Sequence, residues 1–148
     1  MVKKLIISAL IVIVSLSTTS FIEPTKIDIE VVDVKTLELN KENFFLVCHI
    51  HDIKFPDIVY AQARLESGNF KSRLFQTKNN FLGLYNSRKK DFYEFEHWTD
   101  CLIGYKDLLQ FKYTGDDNIE TYYKFLIELP YAQDPLYTTK VKRIAGHS

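Results

Sequence analysis

Ala61-Gln62-Ala63-Arg64-Leu65-Glu66-Ser67-Gly68 reads as the end of a helix that carries a carboxylate into its last turn and stops at a glycine. The helix opens at Pro56, because proline is tolerated in a first turn whose N–H groups lack helical partners, and Asp57 suits the positive end of the helix dipole. Ile58, Val59, Ala61, Ala63 and Leu65 form a broad apolar face, and the small alanines allow a second helix to approach closely. The helix is therefore expected to be buried. Gly68 is placed as the residue that turns the chain out. A carboxylate at Glu66 feels the negative end of the dipole, and an apolar neighbourhood adds a desolvation cost of the same sign, so both effects favour the neutral acid. A glutamic acid kept protonated near neutral pH can protonate a leaving oxygen as a glycosidic bond breaks. The ordinary role of a glutamate that ends a helix is a solvated surface position.

The rest of the chain reads as a frame for this helix. Its 148 residues suffice for one domain with a core and are too few for two ordinary ones. The 46% hydrophobic and 26% charged content is that of a folded globular protein. The 14% aromatic content, with nine Tyr and eleven Phe, is high. Rings at that density fill a core or line a sugar-binding cleft, where the C–H faces of a pyranose stack on them. Basic and acidic residues balance at 19 each, so no positive field points to nucleic acid. Cys48 and Cys101 lack metal-ligand spacing and sit among apolar residues, so two buried thiols are expected rather than a disulfide. No metal or other cofactor is expected.

Met1 to Ser20 has two lysines, an apolar run from Leu5 to Leu16 and a small polar end, the pattern of a secretory signal. The run is shorter than the roughly 20 residues of a spanning helix, which favours cleavage, with an uncleaved anchor as the alternative. The remainder is expected outside the cytoplasm in either case, in the periplasm or the extracellular space. Residues 21–38 read as a linker, and 39–148 as the domain.

From Asn40, a helix N-cap, Phe44, Val47, Cys48 and His51 fall on one helical face. After Gly68, the stretch from Asn69 to Asn80 is polar and reads as irregular. Phe81 to Tyr85 and Asp91 to Glu96 then read as a small hairpin with Phe92, Glu94 and Glu96 on one face and Tyr93 and Phe95 on the other. Three helices follow, capped at Thr99, Asn118 and Asp134-Pro135, with Trp98 and Ile103 as a hydrophobic staple on the first. The expected fold class is α+β, mostly helical, with a small β-hairpin.

Three segments together resemble the peptidoglycan-cleaving endo-β-N-acetylglucosaminidases of glycoside hydrolase family 73. They are Gln62-Ala63-Arg64-Leu65-Glu66-Ser67-Gly68, Asn79-Asn80-Phe81-Leu82-Gly83 and Tyr131-Ala132-Gln133-Asp134-Pro135-Leu136-Tyr137, in the family's order. The resemblance implies a lysozyme-like fold, with Glu66 as general acid, Tyr131 near the scissile sugar, and Asn80 and Phe81 on the floor of the substrate groove, next to Gly83. It also implies an exported, monomeric enzyme acting on the β-1,4 bond after N-acetylglucosamine in peptidoglycan strands, touching a membrane only through an uncleaved N-terminal anchor.

Two departures from the family pattern bear on mechanism. Phe81-Leu82 stands where the family has Leu-Phe, a swap that strand alternation would send to opposite faces. The hairpin is also short, and the insertion that carries the family's second carboxylate is missing, which leaves Glu94 and Asp91 as the nearest acids. Glu94 is the candidate partner of Glu66. With a single carboxylate, the substrate's N-acetyl group or an internal hydroxyl can complete the reaction. A lytic transglycosylase and a non-catalytic glycan-binding or assembly protein are therefore the two alternatives to a hydrolase.

Overall fold

The structure is a computed structural model that describes residues 32–129 and 134–147. Among these residues six α-helices and one two-stranded antiparallel sheet follow in order: α1 (Lys41–Ile50), α2 (Pro56–Glu66), α3 (Arg73–Lys78), β1 (Tyr85–Asn86), β2 (Asp91–Phe92), α4 (Trp98–Leu108), α5 (Ile119–Glu128) and α6 (Tyr137–Ala145). This is the helix-dominated α+β architecture that the sequence implies, and it is consistent with a lysozyme-like fold. The N-terminal segment read as a signal or anchor, and Tyr131, lie outside the described residues.

Helix α2 is the centre of the domain, with Ile58, Val59, Ala61, Gln62 and Ala63 all buried. Its faces serve two cores. Val59 and Ala63 join Phe44, Val47 and Cys48 of α1, Phe81, Leu82 and Leu84 of the following loop, and Trp98, Cys101, Leu102 and Tyr105 of α4. Ile58 and Ala61 join Tyr122, Tyr123 and Leu126 of α5 and Tyr137 and Val141 of α6. The helix packed most extensively on α2 is α6, the close neighbour that the alanines permit. Both cysteines are buried and free, and desolvation pushes each thiol up to about 12.

Helix starts follow their caps. The Asn40 side chain accepts from the Asn43 N–H at 2.8 Å, and that of Asn118 accepts from the Glu120 N–H at 2.8 Å. At α4 the cap is His97 rather than Thr99. Asp100 accepts from the His97 N–H at 3.1 Å, completing a capping box, and Thr99 is buried inside the first turn. Asp134 stands two residues ahead of the cap of α6, where its carboxylate accepts from the Leu136 N–H at 2.9 Å.

The stretch read as irregular contains α3, a helix of six residues capped by Ser72, whose hydroxyl accepts from the Phe75 N–H. The hairpin is smaller than its alternation suggests: only Tyr85 pairs with Phe92 and Asn86 with Asp91. Phe81 and Leu82 form a turn, and both are fully buried, so their order does not send either to the surface. The end of the segment read as a linker is attached to the domain. Val34 and Leu37 pack against the first core, and the Trp98 indole donates to the Leu37 carbonyl at 2.7 Å.

Candidate active site

Glu66 is the last residue of α2, and the turn behind it is tightly made. Gly68, Asn69 and Phe70 are three consecutive left-handed residues, with φ of +56°, +58° and +63°. Such a run is strained for asparagine and phenylalanine, and hydrogen bonds hold it. The buried Ser67 hydroxyl donates to the Ala63 carbonyl at 2.5 Å and accepts from the Phe70 N–H at 2.7 Å, while the Asn69 N–H reaches the Arg64 carbonyl at 2.8 Å.

As a whole residue Glu66 is exposed, yet protein atoms crowd its carboxyl group. Desolvation raises its pKa above the ordinary glutamate value, and a hydrogen bond from the Tyr137 hydroxyl works in the opposite direction. The direction agrees with the sequence reading. No charged group among the described residues contributes to the shift. The Tyr137 hydroxyl also receives a hydrogen bond from the buried Gln62 amide at 3.0 Å, one helical turn before Glu66.

Gly83 brings the next loop against the acid. Its φ of +64° belongs to the left-handed region, and a Cβ built there would lie 3.7 Å from Glu66 Oε2. The backbone thus approaches the carboxyl at a point where a side chain would cover it. Gly83 also lines an open cleft of about 530 Å³ whose other walls include Tyr85, Arg88, Tyr93, Lys112 and Leu129. At the edge of the hairpin arm that β1 and β2 form, the exposed rings of Tyr85 and Phe92 meet edge to face at 5.3 Å. Such rings offer an apolar surface to a sugar.

Asn80 and Phe81 lie beneath the surface rather than on a groove floor. Asn80 is 1% exposed, and its amide donates to the carbonyls of Leu84 at 2.9 Å and Tyr93 at 2.8 Å while accepting from the Leu84 N–H at 2.9 Å. Phe81 packs its ring among Phe44, Phe70 and Phe75 in the first core. Both residues shape the loop that presents Gly83, and neither offers its side chain to solvent.

Glu94 is exposed on the arm and makes no hydrogen bond or ion pair among the described residues. Asp91 is ion-paired with Lys78 at 2.6 Å, which holds its carboxyl below the usual range. Neither acid acts electrostatically on Glu66. Among the described residues no group of His, Cys, Asp or Glu is placed to hold a metal ion.

Gln62 and Tyr137 are the site residues that the sequence reading missed. Gln62 had a signal: it stands one turn before Glu66, between the apolar Ile58, Ala61 and Leu65 of the face expected to be buried, and a buried polar residue demands partners. Tyr137 was visible only as part of an apolar stripe and as the end of the third segment.

Neither curated proteins nor solved structures show a match to this chain. The family profile described as mannosyl-glycoprotein endo-beta-N-acetylglucosaminidase matches residues 42–147. That span runs from α1 through α6 and takes in Glu66, the Gly83 loop and Tyr137, so the chain belongs to the glucosaminidase family and is a glycoside hydrolase.

Proposed function

We propose that the protein is an exported peptidoglycan hydrolase that cleaves the β-1,4 bond after N-acetylglucosamine, with Glu66 as general acid. The observation that carries this reading is the Glu66 carboxyl: desolvated, shifted toward its neutral form, held by Tyr137 and approached by a glycine backbone. In the proposed step the Glu66 proton passes to the glycosidic oxygen as the C1–O bond breaks, leaving an oxocarbenium-like sugar and an ionised Glu66. The cleft beyond Gly83 takes the strand, with Tyr85 and Phe92 as a stacking surface. Tyr131 is proposed to stand near the scissile sugar. Export rests on the sequence of Met1 to Ser20.

The short hairpin, which lacks the family's carboxylate-bearing insertion and ties Asp91 to Lys78, favours a mechanism without a second protein carboxylate at the reacting carbon. The substrate's N-acetyl oxygen then attacks C1, and water opens the resulting ring. The same observation supports a second reading, a lytic transglycosylase, in which a hydroxyl of the sugar itself attacks C1. Product analysis of purified peptidoglycan by mass spectrometry separates the two. Hydrolysis leaves reducing N-acetylglucosamine ends, and transglycosylation leaves anhydro-muramyl ends. Glu66→Gln is expected to abolish release of either product while the fold is retained. Undiminished release by that variant removes Glu66 from the chemistry, and binding to cell walls without release by the wild type would favour a glycan-binding protein.

A further inference from the structure

Buried side chains connect the peptide at Lys54, before the start of α2, to Glu66 at its end. The Gln110 side-chain oxygen accepts from the Lys54 N–H at 2.8 Å, and its Nε2 donates to the Lys54 carbonyl at 2.8 Å. Because both bonds are to backbone, the orientation of this amide is fixed. Its second Nε2 hydrogen points to the Tyr122 hydroxyl at 3.0 Å, so that oxygen is an acceptor. The Tyr122 hydrogen is then directed at the Tyr105 oxygen, 2.8 Å away, and the Tyr105 hydrogen at Gln62 Oε1, also 2.8 Å away. This orients the second amide. Gln62 Nε2 donates to the Tyr137 oxygen at 3.0 Å, and the Tyr137 hydroxyl in turn donates to Glu66.

Every donor in the chain points the same way. Turning only the Gln62 amide would draw the Tyr137 hydrogen away from Glu66, and it would reverse Tyr105 and Tyr122 until a Tyr122 hydrogen met a Gln110 hydrogen. Gln62, Tyr105 and Tyr122 are fully buried and Gln110 is 6% exposed, so solvent does not reach this chain to repair such a mismatch.

We propose that Gln62, Tyr105, Tyr122 and Gln110 are positioning residues: oriented from the Lys54 peptide, they hold the Tyr137 hydroxyl as a donor to one oxygen of Glu66. The other oxygen is thereby left to carry the proton that reaches the glycosidic bond. The inference rests on the general-acid reading for its catalytic meaning, while the hydrogen-bond direction from Gln110 to the Tyr137 oxygen stands on the geometry. A donor on Glu66 favours its charged form and so opposes the desolvation that favours the neutral one. The two together hold the acid between extremes, where proton transfer is most effective.

Among the described residues, the groups that face Glu66 are few. Tyr137 faces it from α6, where Lys140 pairs with Asp134 and Lys142 with Glu120. Arg64 on its own helix is turned to Asn69, and Gly83 presents only backbone. Helix α1 contributes no charge to its titration, nor does any other described element.

The test is the titration of Glu66 in protein labelled with carbon-13 at the glutamate carboxyls, its resonance assigned by Glu66→Gln. Tyr137→Phe is expected to raise the Glu66 midpoint by about one pH unit, the effect of losing a hydrogen bond to a charged group. Tyr122→Phe, which removes a hydroxyl three hydrogen bonds from Tyr137, is expected to raise it by a few tenths of a unit, from lost orientation and polarisation. Tyr105→Phe, which cuts the next link, is the second variant should the first not fold. Tyr113→Phe is the control, because its ring packs on Tyr122 while its hydroxyl donates to the Asp116 carbonyl outside the chain. It should leave the midpoint unchanged. A midpoint that stays at the wild-type value in the chain-cutting variants, or that moves equally in Tyr113→Phe, overturns the proposal. The titration is readable whether or not Glu66 cleaves glycans, so failure of the hydrolase reading would show separately, as activity in Glu66→Gln.

Discussion

Replacing Asn80 by alanine tests whether the loop that carries Gly83 is held by a single amide. The side chain makes three hydrogen bonds to backbone, to the Leu84 carbonyl, the Leu84 N–H and the Tyr93 carbonyl, all between 2.8 and 2.9 Å. Leu84 is 2% exposed, so water does not replace the two bonds at its peptide groups, whereas Tyr93 is half-buried and its carbonyl can be partly rehydrated. The Leu84 carbonyl keeps its bond from the Tyr93 N–H at 2.9 Å, so one buried group, the Leu84 N–H, is left unpaired; at about 1–3 kcal/mol for that group and less for each carbonyl, the loss is about 2–3 kcal/mol. A small domain has roughly 5–15 kcal/mol in all, so the variant should still fold but unfold at much lower urea. The assay is urea unfolding followed by the fluorescence of Trp98, the sole tryptophan, which is 4% exposed and anchored to the Leu37 carbonyl. Asn80→Asp gives the sharper test. It keeps the acceptor for the Leu84 N–H but turns its second oxygen toward two carbonyls, which raises its folded pKa above the unfolded value. Its stability should therefore be greatest below about pH 4 and fall as pH rises through the folded value. An alanine variant that loses less than about 1 kcal/mol, or an aspartate variant whose deficit is the same at pH 3 and pH 7, would refute the reasoning.

Other consequences are equally direct. Because the folded pKa of Glu66 is raised, its ionisation costs stability as pH climbs through that value, so Glu66→Gln should be more stable than the wild type. The gap in melting temperature should be larger at pH 7 than at pH 4. Gly83→Ala places a side chain at φ +64° and a methyl in contact with Glu66 Oε2, so it should cost about 1 kcal/mol in urea unfolding and proportionally more in glycan-cleaving rate. With both thiols pushed up to about 12 and buried, Cys48 and Cys101 should not react with Ellman's reagent at pH 8 until urea is added. Reaction of either in the native protein would contradict this.

The parts of the fold that could be read from the sequence are those where local chemistry and tertiary packing ask for the same thing. Asn40 and Asn118 are strong caps ahead of apolar periodicity, and both cap the helices they announce. His97 takes the same role with weaker intrinsic preference, so propensity favours Thr99 as the cap and places the start of α4 too late. Helix α3 has six residues and no apolar stripe of useful length, so periodicity had nothing to register. In the arm, Tyr93 and Phe95 are half-buried while Phe92, Glu94 and Glu96 are exposed, as the alternation requires, but the ladder covers only two residue pairs. Alternation reports which side is covered, and it does not report how far strands pair. The direction of the Glu66 shift was legible because the desolvation that raises it comes from neighbours packed close to the end of its own helix. The buried roles of Asn80 and Phe81 were not, because motif adjacency to a groove residue says nothing about which way a side chain turns.

What the sequence could not convey is that both ends of α2 are held by side chains bonded to backbone. The helix begins beside Phe55, a left-handed residue with φ +52° placed directly before Pro56, a conformation disfavoured on both counts. Gln110 grips the Lys54 peptide just before that residue, and Phe55 stacks on Tyr122 at 4.3 Å. At the other end the Ser67 hydroxyl braces the left-handed run from Gly68 to Phe70. Strained turns persist only where the surroundings over-determine them, and here those surroundings include members of the chain that reaches Glu66. Gln110 and Tyr122 thus act twice, once to keep α2 starting where it does and once to set the direction of the hydrogen bonds along it. A general acid transfers its proton effectively only when its oxygen is held close to the leaving atom. Clamping the helix at both ends and fixing the donor to its terminal carboxyl meet that requirement with the same residues.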